Sequence, residues 1–150
     1  MDRQFDVENK KERDRLQALV NRVTDEELNL PYYKEGWTIA AGLAHLAFWD
    51  QYGLAVLRRW QQDGVVAHSH SDSNAVNDAF FNIALAMPTR VAAGLAVSAA
   101  EAIDREIKAL SPDFVKAVEA LNEPYRLYRS IHRKLHLDEI EALLKAKKIR

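Results

Sequence analysis

The chain has 150 residues and contains no cysteine. It therefore cannot form a disulfide, a thiolate nucleophile or a cysteine-ligated zinc site, and any bound metal must be held by histidine or carboxylate side chains. An excess of one charge is also missing, because 21 Lys and Arg residues stand against 22 Asp and Glu residues, for a formal net charge of -1. A nucleic-acid surface needs a strong basic excess, so we expect no nucleic-acid partner.

Signals for export and for a membrane span are missing as well. Residues 1–6 are charged and lack the apolar segment of a signal peptide. Residues 38–57 approach the length of a membrane span, but the ionisable residues His45 and Asp50 lie near the middle and no second span follows. We therefore interpret this segment as a buried helix and expect a cytoplasmic protein with no membrane partner.

Apolar residues recur at helical spacing along the chain, and no alternating strand pattern is present. This periodicity, with capping residues and prolines, predicts long helices at about residues 6–22, 38–62, 89–110 and 122–147. Shorter helices are predicted at residues 74–87 and 114–121. The sequence thus predicts one all-α domain over residues 1–150. We expect a four-helix bundle of the up-and-down type, with short extra helices before the third and fourth long helices.

Three histidines are the strongest candidates for a functional site. His132 and His136 stand four residues apart on the last helix, so both rings lie on one face, and His45 lies within the apolar second helix. Burying these imidazoles without partners would cost roughly 1–3 kcal/mol for each unsatisfied nitrogen, whereas a metal ion would bind one nitrogen of each ring. Three neutral ligands also leave an open coordination position, which is typical of catalytic rather than structural zinc.

Other residues near these positions have both a functional and a structural interpretation. Glu139, one turn after His136, is the candidate catalytic base or the partner behind a metal ligand, unless it is simply an exposed helix glutamate. Trp49, Tyr125 and Tyr128 are candidates for lining a small pocket, although aromatic residues at this spacing also occur in cores. His68 and His70 lie in a polar loop that begins about 26 Å along the helix from His45, so they join the same site only if this loop doubles back.

Three motifs stand out along the chain: Trp37-Thr38 opening the second long helix, His45-Leu46 followed by Trp49-Asp50, and His132, His136 and Ile140 on the last helix. In this combination they resemble the DinB-like superfamily of bacterial four-helix-bundle metalloproteins. Relatives there include thiol-dependent S-transferases and mycothiol-dependent maleylpyruvate isomerases. The resemblance covers essentially the whole chain, including the segment around Asn77. It implies a divalent metal, zinc or nickel, on His45, His132 and His136, and leaves a low-molecular-weight thiol open as a second cofactor.

Two classes of function stay open from the sequence. The first is a metal-dependent enzyme acting on a small molecule, either a thiol-dependent S-transferase or isomerase or a hydrolase. The second is a non-catalytic metal-binding bundle that acts in sequestration or protein interaction, and a homodimer is left open. A cleft opening onto the metal would favour the first. Because protons compete with a metal for imidazole, we also expect the stabilisation by metal to fade below about pH 6.5.

Overall fold

The structure is a computed structural model that describes residues 2–33 and 36–148. Its helices are α1 (Gln4–Arg22), α2 (Asp25–Leu28), α3 (Ile39–Asp63), α4 (Ser73–Ala86), α5 (Thr89–Lys108), α6 (Pro112–Glu119) and α7 (Ser130–Lys148), with a 3-10 helix at Pro124–Arg126. The predicted all-α bundle is confirmed: α1, α3, α5 and α7 are its long helices, and α4 and α6 are the short extra ones. Within the described residues, none of the helices combines the length and apolar character that a bilayer span requires.

Helix α3 begins and ends where its flanking residues predict. The hydroxyl of Thr38 accepts a hydrogen bond from the backbone N–H of Ala41 at 3.1 Å, which satisfies one of the free donors of the first turn. Gly64 ends the helix with φ 71°, a left-handed conformation that favours glycine. Nearly all of the first half of α3 is buried, so His45 is carried into the bundle interior.

Helices α1 and α5 run antiparallel. Arg3, just before α1, donates a hydrogen bond to the carbonyl of Ile107 near the end of α5 at 3.0 Å. Arg90, at the start of α5, donates to the carbonyl of Val23 just after α1. The beginning of each helix therefore lies beside the end of the other.

Helices α3 and α7 also run antiparallel, whereas α3 and α5 run parallel. Gly53 lies beside Arg129, since a Cβ atom on Gly53 would be 3.6 Å from the Arg129 guanidinium. His45, which precedes Gly53 on α3, instead lies beside His136, which follows Arg129 in the chain, and their ring centroids are 5.0 Å apart. Gln61 of α3 donates to Glu106 of α5 at 3.0 Å, so the ends of these two helices lie together. The bundle thus runs up, down, down, up, which differs from the simple up-and-down order. Helix α4 lies in the crossover that two consecutive parallel helices require.

The bundle interior contains two apolar clusters, one toward each end. The larger cluster surrounds the histidine end and the smaller one fills the opposite end. Their fully buried members include Leu16, Leu19, Ile39, Leu43, Leu137 and Ile140 of the first cluster and Ile103 and Ile107 of the second. Their burial supplies the main stabilisation of the fold, at roughly 1.5–3 kcal/mol for each large side chain.

A buried charged layer separates these two clusters, and Arg133 is at its centre. This arginine is 0% exposed. Its guanidinium donates to Asp104 of α5 at 2.8 Å, to Asp50 of α3 at 3.2 Å and to the carbonyl of Asn9 in α1 at 3.2 Å. Arg133 therefore links α7 to all three other long helices. Its charge is compensated by two carboxylates, as burial requires.

The last long helix begins at Ser130, so the predicted start near residue 122 is wrong. Asn122 has φ 57°, a left-handed conformation that ends the preceding turn. The side chain of Asn9 then donates to the carbonyl of Leu127 at 2.7 Å and accepts from the N–H of Ser130 at 2.8 Å. These bonds satisfy backbone groups of Leu127 and Ser130 that have no helical partner, and the first turn of α7 begins directly afterwards.

Candidate metal centre

The structure brings the three predicted histidines together between α3 and α7. The Nε2 atom of His132 lies 3.0 Å from Nε2 of His45 and 3.1 Å from Nε2 of His136. One candidate ligand atom from each ring lies within 4.8 Å of the others. The three histidines are therefore positioned to bind one metal ion, as the resemblance implied.

The separations of these nitrogens fit a shared divalent ion. Two nitrogens that each lie about 2.1 Å from one ion are about 3.0–3.4 Å apart for bond angles of about 90–110°. Both measured separations fall in this range. Imidazole nitrogens suit zinc, nickel, copper and iron, so the donor set fits a divalent transition metal without selecting one.

Tyr32 and Glu139 fix the orientation of the His136 ring. The Tyr32 hydroxyl oxygen lies 2.5 Å from Nδ1 of His136. Burial raises the pKa of Tyr32 well above its usual value, and the Glu139 carboxylate, which accepts its hydrogen bond, raises the pKa further. The neutral phenol therefore donates a hydrogen bond to the Glu139 carboxylate and accepts one from the Nδ1–H of His136. This leaves the lone pair of Nε2 directed at the metal centre.

Burial also keeps two of the imidazoles neutral. The pKa of His132 is lowered to about 2, mainly by burial and further by the neighbouring histidines and by Arg129 and Arg133. Burial likewise lowers the pKa of His136, against a smaller opposing effect of Glu139. A coordinating imidazole must be unprotonated, so this environment prepares both rings for a metal.

The segment before α3 places two aromatic side chains on the cluster. A bridge between Pro31 and Thr38 brings the chain back on itself. The Trp37 ring packs edge-on against the His45 ring, with centroids 5.8 Å apart. Tyr32 lies over Gly42 of α3, where a Cβ atom would come within 2.6 Å of the Tyr32 ring. Glycine at this position therefore makes room for the tyrosine that holds His136.

A small pocket opens beside the histidines. It has a volume of about 330 Å³ including its mouth. Its interior has space for about one water molecule, so it is narrow in this structure. The lining residues come from four segments: Tyr32, Tyr33 and Trp37 before α3, Gly42 and His45 on α3, Asn77 and Asp78 on α4, and His136 on α7.

The other predicted site residues lie in different places. Glu139 lies beside Tyr32, and Trp49 lies behind the pocket, where its indole N–H donates to Asn77 at 2.8 Å. Tyr125 and Tyr128 are not brought to the histidines. Tyr125 is 43% exposed, and Tyr128 packs edge-on against the ring of Phe5. The physical reason is the later start of α7, because neither tyrosine lies on the helix that carries His132.

The remaining two histidines lie apart from the three-histidine cluster. His68 pairs with Glu123 at 3.1 Å and stacks on His70. Within the described parts of the chain, neither His68 nor His70 belongs to the set of side chains that could share one metal ion with His45, His132 and His136.

Sequence reasoning did not identify Tyr32, Asn77 or Arg133 as site residues. Tyr32 lies in a segment without periodicity, and Asn77 lies on a helix whose position depends on tertiary packing. Arg133 looked like part of a solvated charged face next to His132. The one available signal was Asp50, a charge within an otherwise apolar helix that required a buried partner.

Comparison with known proteins identifies the family of this chain. The family model described as the DinB superfamily matches residues 8–143. No curated protein and no solved structure matches the chain. With a family match over most of its length and three histidines positioned for a metal, the chain belongs to the DinB superfamily.

Proposed function

We propose that this protein is an enzyme that binds one divalent metal ion through His45, His132 and His136 and acts on a small molecule. The observation that carries the proposal is the convergence of three imidazole nitrogens beside a pocket, with separations of 3.0 and 3.1 Å. A metal held by three neutral imidazoles keeps open coordination positions, where it can lower the pKa of a water molecule or bind a thiolate.

The protein groups around the metal ligands have separate roles in this proposal. Glu139 and Tyr32 orient His136 and increase the electron density on its ring, as carboxylate partners of metal-bound histidines do. Of the two roles that the sequence suggested for Glu139, a catalytic base or a partner behind a metal ligand, we therefore propose the second. Tyr33 and Trp37 line the pocket beside the metal ligands.

Within this class, we propose transfer or isomerisation with a low-molecular-weight thiol, or hydrolysis, as the reactions to test. The thiol alternative is supported by the resemblance to thiol-dependent relatives and by the affinity of zinc and nickel for thiolates. The chain has no cysteine, so a thiol would have to be supplied by a small molecule.

A non-catalytic metal-binding role is the second candidate, and the narrow pocket favours it. The Tyr33 ring packs edge-on against His136, with centroids 5.5 Å apart, and covers part of the cluster. A site of this shape would hold a metal without admitting a large substrate.

The first experiment is metal analysis of protein purified without added metal and without a nickel column. We expect about one equivalent of zinc or nickel in the native protein and loss of that metal in His132→Ala and His136→Ala. His68→Ala and His70→Ala are matched controls that should keep the metal. Equal metal content in all four variants would contradict the assignment.

A turnover assay then separates the two functions. Metal-loaded protein is mixed with cysteine and the electrophile chlorodinitrobenzene, and thioether formation is compared with that of the His132→Ala variant. Metal-dependent acceleration supports the thiol-transferase reaction. Full metal occupancy without acceleration of this reaction or of ester hydrolysis favours the non-catalytic role.

A further inference from the structure

The side-chain amide of Asn77 has a defined orientation at the pocket. The indole N–H of Trp49 donates to the amide oxygen of Asn77 at 2.8 Å. Because an indole nitrogen can only donate, the oxygen and nitrogen of this amide are not interchangeable. The amide nitrogen and its two N–H donors therefore face away from Trp49. They have no protein acceptor among the residues that the structure describes.

The position of Asn77 relative to the histidines suits a small ligand. Asn77 lines the same pocket as His45 and His136. Its anchor Trp49 is one turn after His45 on α3, which places the two side chains about 5–6 Å apart at their Cβ atoms. A molecule bound to a metal through one atom could therefore reach the Asn77 amide with an oxygen a few bonds away.

The charge at the pocket restricts the chemical type of the ligand oxygen that Asn77 would bind. Asp78 also lines the pocket and is exposed, so its carboxylate repels an anionic group there. Among the described lining residues there is no lysine or arginine to compensate a second carboxylate. A neutral carbonyl or amide oxygen fits this combination of an N–H donor and a nearby negative charge.

We propose that Asn77 is a substrate-recognition residue that donates a hydrogen bond to a neutral carbonyl or amide oxygen of a ligand whose other end binds the metal. Trp49 is a positioning residue, because it holds the Asn77 amide with its N–H donors free. This inference rests on the proposed metal site and names the class of substrate for it.

The test uses two thiols as probes on the full chain loaded with cobalt(II). Mercaptopropionamide carries an amide oxygen, and butanethiol is a similar thiol without one. Thiolate binding to cobalt gives a charge-transfer absorption, from which the dissociation constant of each probe is measured. The readout is the ratio of the two constants, which cancels the shared thiolate–metal interaction.

The variants are chosen to change the donors without removing the metal. Asn77→Leu removes the amide without adding charge, and Asn77→Asp replaces its donors by acceptors. Trp49→Phe keeps an aromatic ring but removes the indole N–H. Asn82→Asp introduces the same charge change at an exposed position of α4 and is the matched control.

We expect the preference for mercaptopropionamide over butanethiol to fall about threefold to tenfold in Asn77→Leu, the range of one hydrogen bond to a neutral group. It should fall at least as far in Asn77→Asp and to a smaller extent in Trp49→Phe. The ratio should stay at the native value in Asn82→Asp, and circular dichroism and cobalt content should be the same throughout.

The outcomes separate this inference from the proposed function. If native protein binds no cobalt at the histidines, the proposed function fails. If cobalt binds in all proteins but the ratio is unchanged in both Asn77 variants, the recognition role of Asn77 is wrong while the metal site stands. An equal change in Asn82→Asp would likewise overturn it, and an unchanged ratio in Trp49→Phe would overturn the positioning role of Trp49.

Discussion

At the scale of single residues, the geometry of the metal centre depends on side chains that do not touch the metal. Tyr32 holds Nδ1 of His136, and Gly42 makes room for the Tyr32 ring. Tyr32 lies outside the helical pattern that identified the histidines, whereas Gly42 lies on α3, three residues before His45. Their effects are separable, since one supplies a hydrogen bond and the other supplies space.

Removing the Tyr32 hydroxyl should weaken metal binding. In Tyr32→Phe the aromatic ring of residue 32 remains, but the Nδ1–H of His136 loses its acceptor. The imidazole of His136 is therefore less well oriented. We expect a 10- to 100-fold loss in metal affinity, the usual effect of losing such a partner, measured by competition with a chelator. Tyr125→Phe removes a hydroxyl from an exposed position and should leave the affinity unchanged; a loss of similar size there would refute the role of Tyr32.

Adding a methyl group at Gly42 should displace Tyr32. The new Cβ atom would lie 2.6 Å from a Tyr32 ring carbon, so the ring must move. We expect Gly42→Ala to lower the free energy of unfolding by about 1–3 kcal/mol and to weaken metal binding. Gly94→Ala is the control on α5, where a Cβ atom meets nothing within 4 Å. This control should be stabilised by up to about 1 kcal/mol, because alanine favours a helix. Equal effects of the two changes in urea unfolding would contradict the steric argument.

At the scale of helices, the charged layer fixes the position of α7 relative to its neighbours. Arg133 adjoins His132 in sequence and binds carboxylates of α3 and α5. Any shift of α7 along α3 would break these bonds and also separate His132 from His45. The charged layer therefore couples the register of the helices to the metal site.

Removing the Arg133 guanidinium should lower the free energy of unfolding. Arg133→Leu leaves Asp50 paired only with Arg129 and Asp104 paired only with Arg13, and we expect a cost of up to about 3–5 kcal/mol, the range for breaking a buried ion pair. The free energy of unfolding from urea titration measures this loss. Arg58→Leu is the control, since Arg58 is exposed and its pair with Glu106 at 3.6 Å should contribute about 1 kcal/mol or less. A cost for Arg133→Leu no larger than that of the control would show that Arg133 does not fix the position of α7.

At the scale of the whole molecule, the two apolar clusters allow the bundle to fold without metal. Metal binding then adds stability through mass action, at about 4 kcal/mol for a thousandfold excess over Kd. Chelation should lower the Tm by roughly 8–16 °C for a chain of this size and leave the helical circular dichroism signal intact. His132→Ala should melt at one temperature with and without zinc or nickel. A Tm of the native protein that is insensitive to chelation would argue against a metal site.

The pH dependence of the metal-free protein follows from the lowered pKa of His132. In the folded state this pKa is about 2, whereas the unfolded value is about 6.5. Below pH 6.5 the unfolded chain therefore binds a proton that the folded site does not bind, and folding stability decreases as the pH falls. The slope approaches about 1.4 kcal/mol per pH unit for one such group. Urea unfolding of the chelated protein between pH 7 and pH 5 should show a smaller slope in His132→Gln; equal slopes would refute this origin.

The same pKa shift revises the sequence-based expectation for the loaded protein. Because burial keeps His132 and His136 neutral, protons begin to compete with the metal at a lower pH than the 6.5 expected from unperturbed histidines. We expect metal to remain bound below pH 6, measured by equilibrium dialysis. Release of half of the metal near pH 6.5 would show that these rings titrate as exposed histidines do.

The sequence by itself determined the all-helical fold, the ends of α3 and the three candidate ligands. Apolar periodicity defined α3, and Thr38 and Gly64 defined its ends. The four-residue spacing of His132 and His136 put both rings on one face of α7 wherever that helix packed. These features follow from interactions between residues close in the chain, which local patterns report directly.

Only the tertiary structure decided what surrounds those histidines. Tyr32 and Asn77 reach the site from segments distant in sequence, and the burial of Arg133 depends on where α3 and α5 place their carboxylates. The directions of the helices and the exclusion of Tyr125 and Tyr128 depend on the crossover through α4 and on the bonds of Asn9 before α7. A local pattern shows which face of a helix is apolar, but it does not show which other segment packs against that face, because long-range packing fixes that contact.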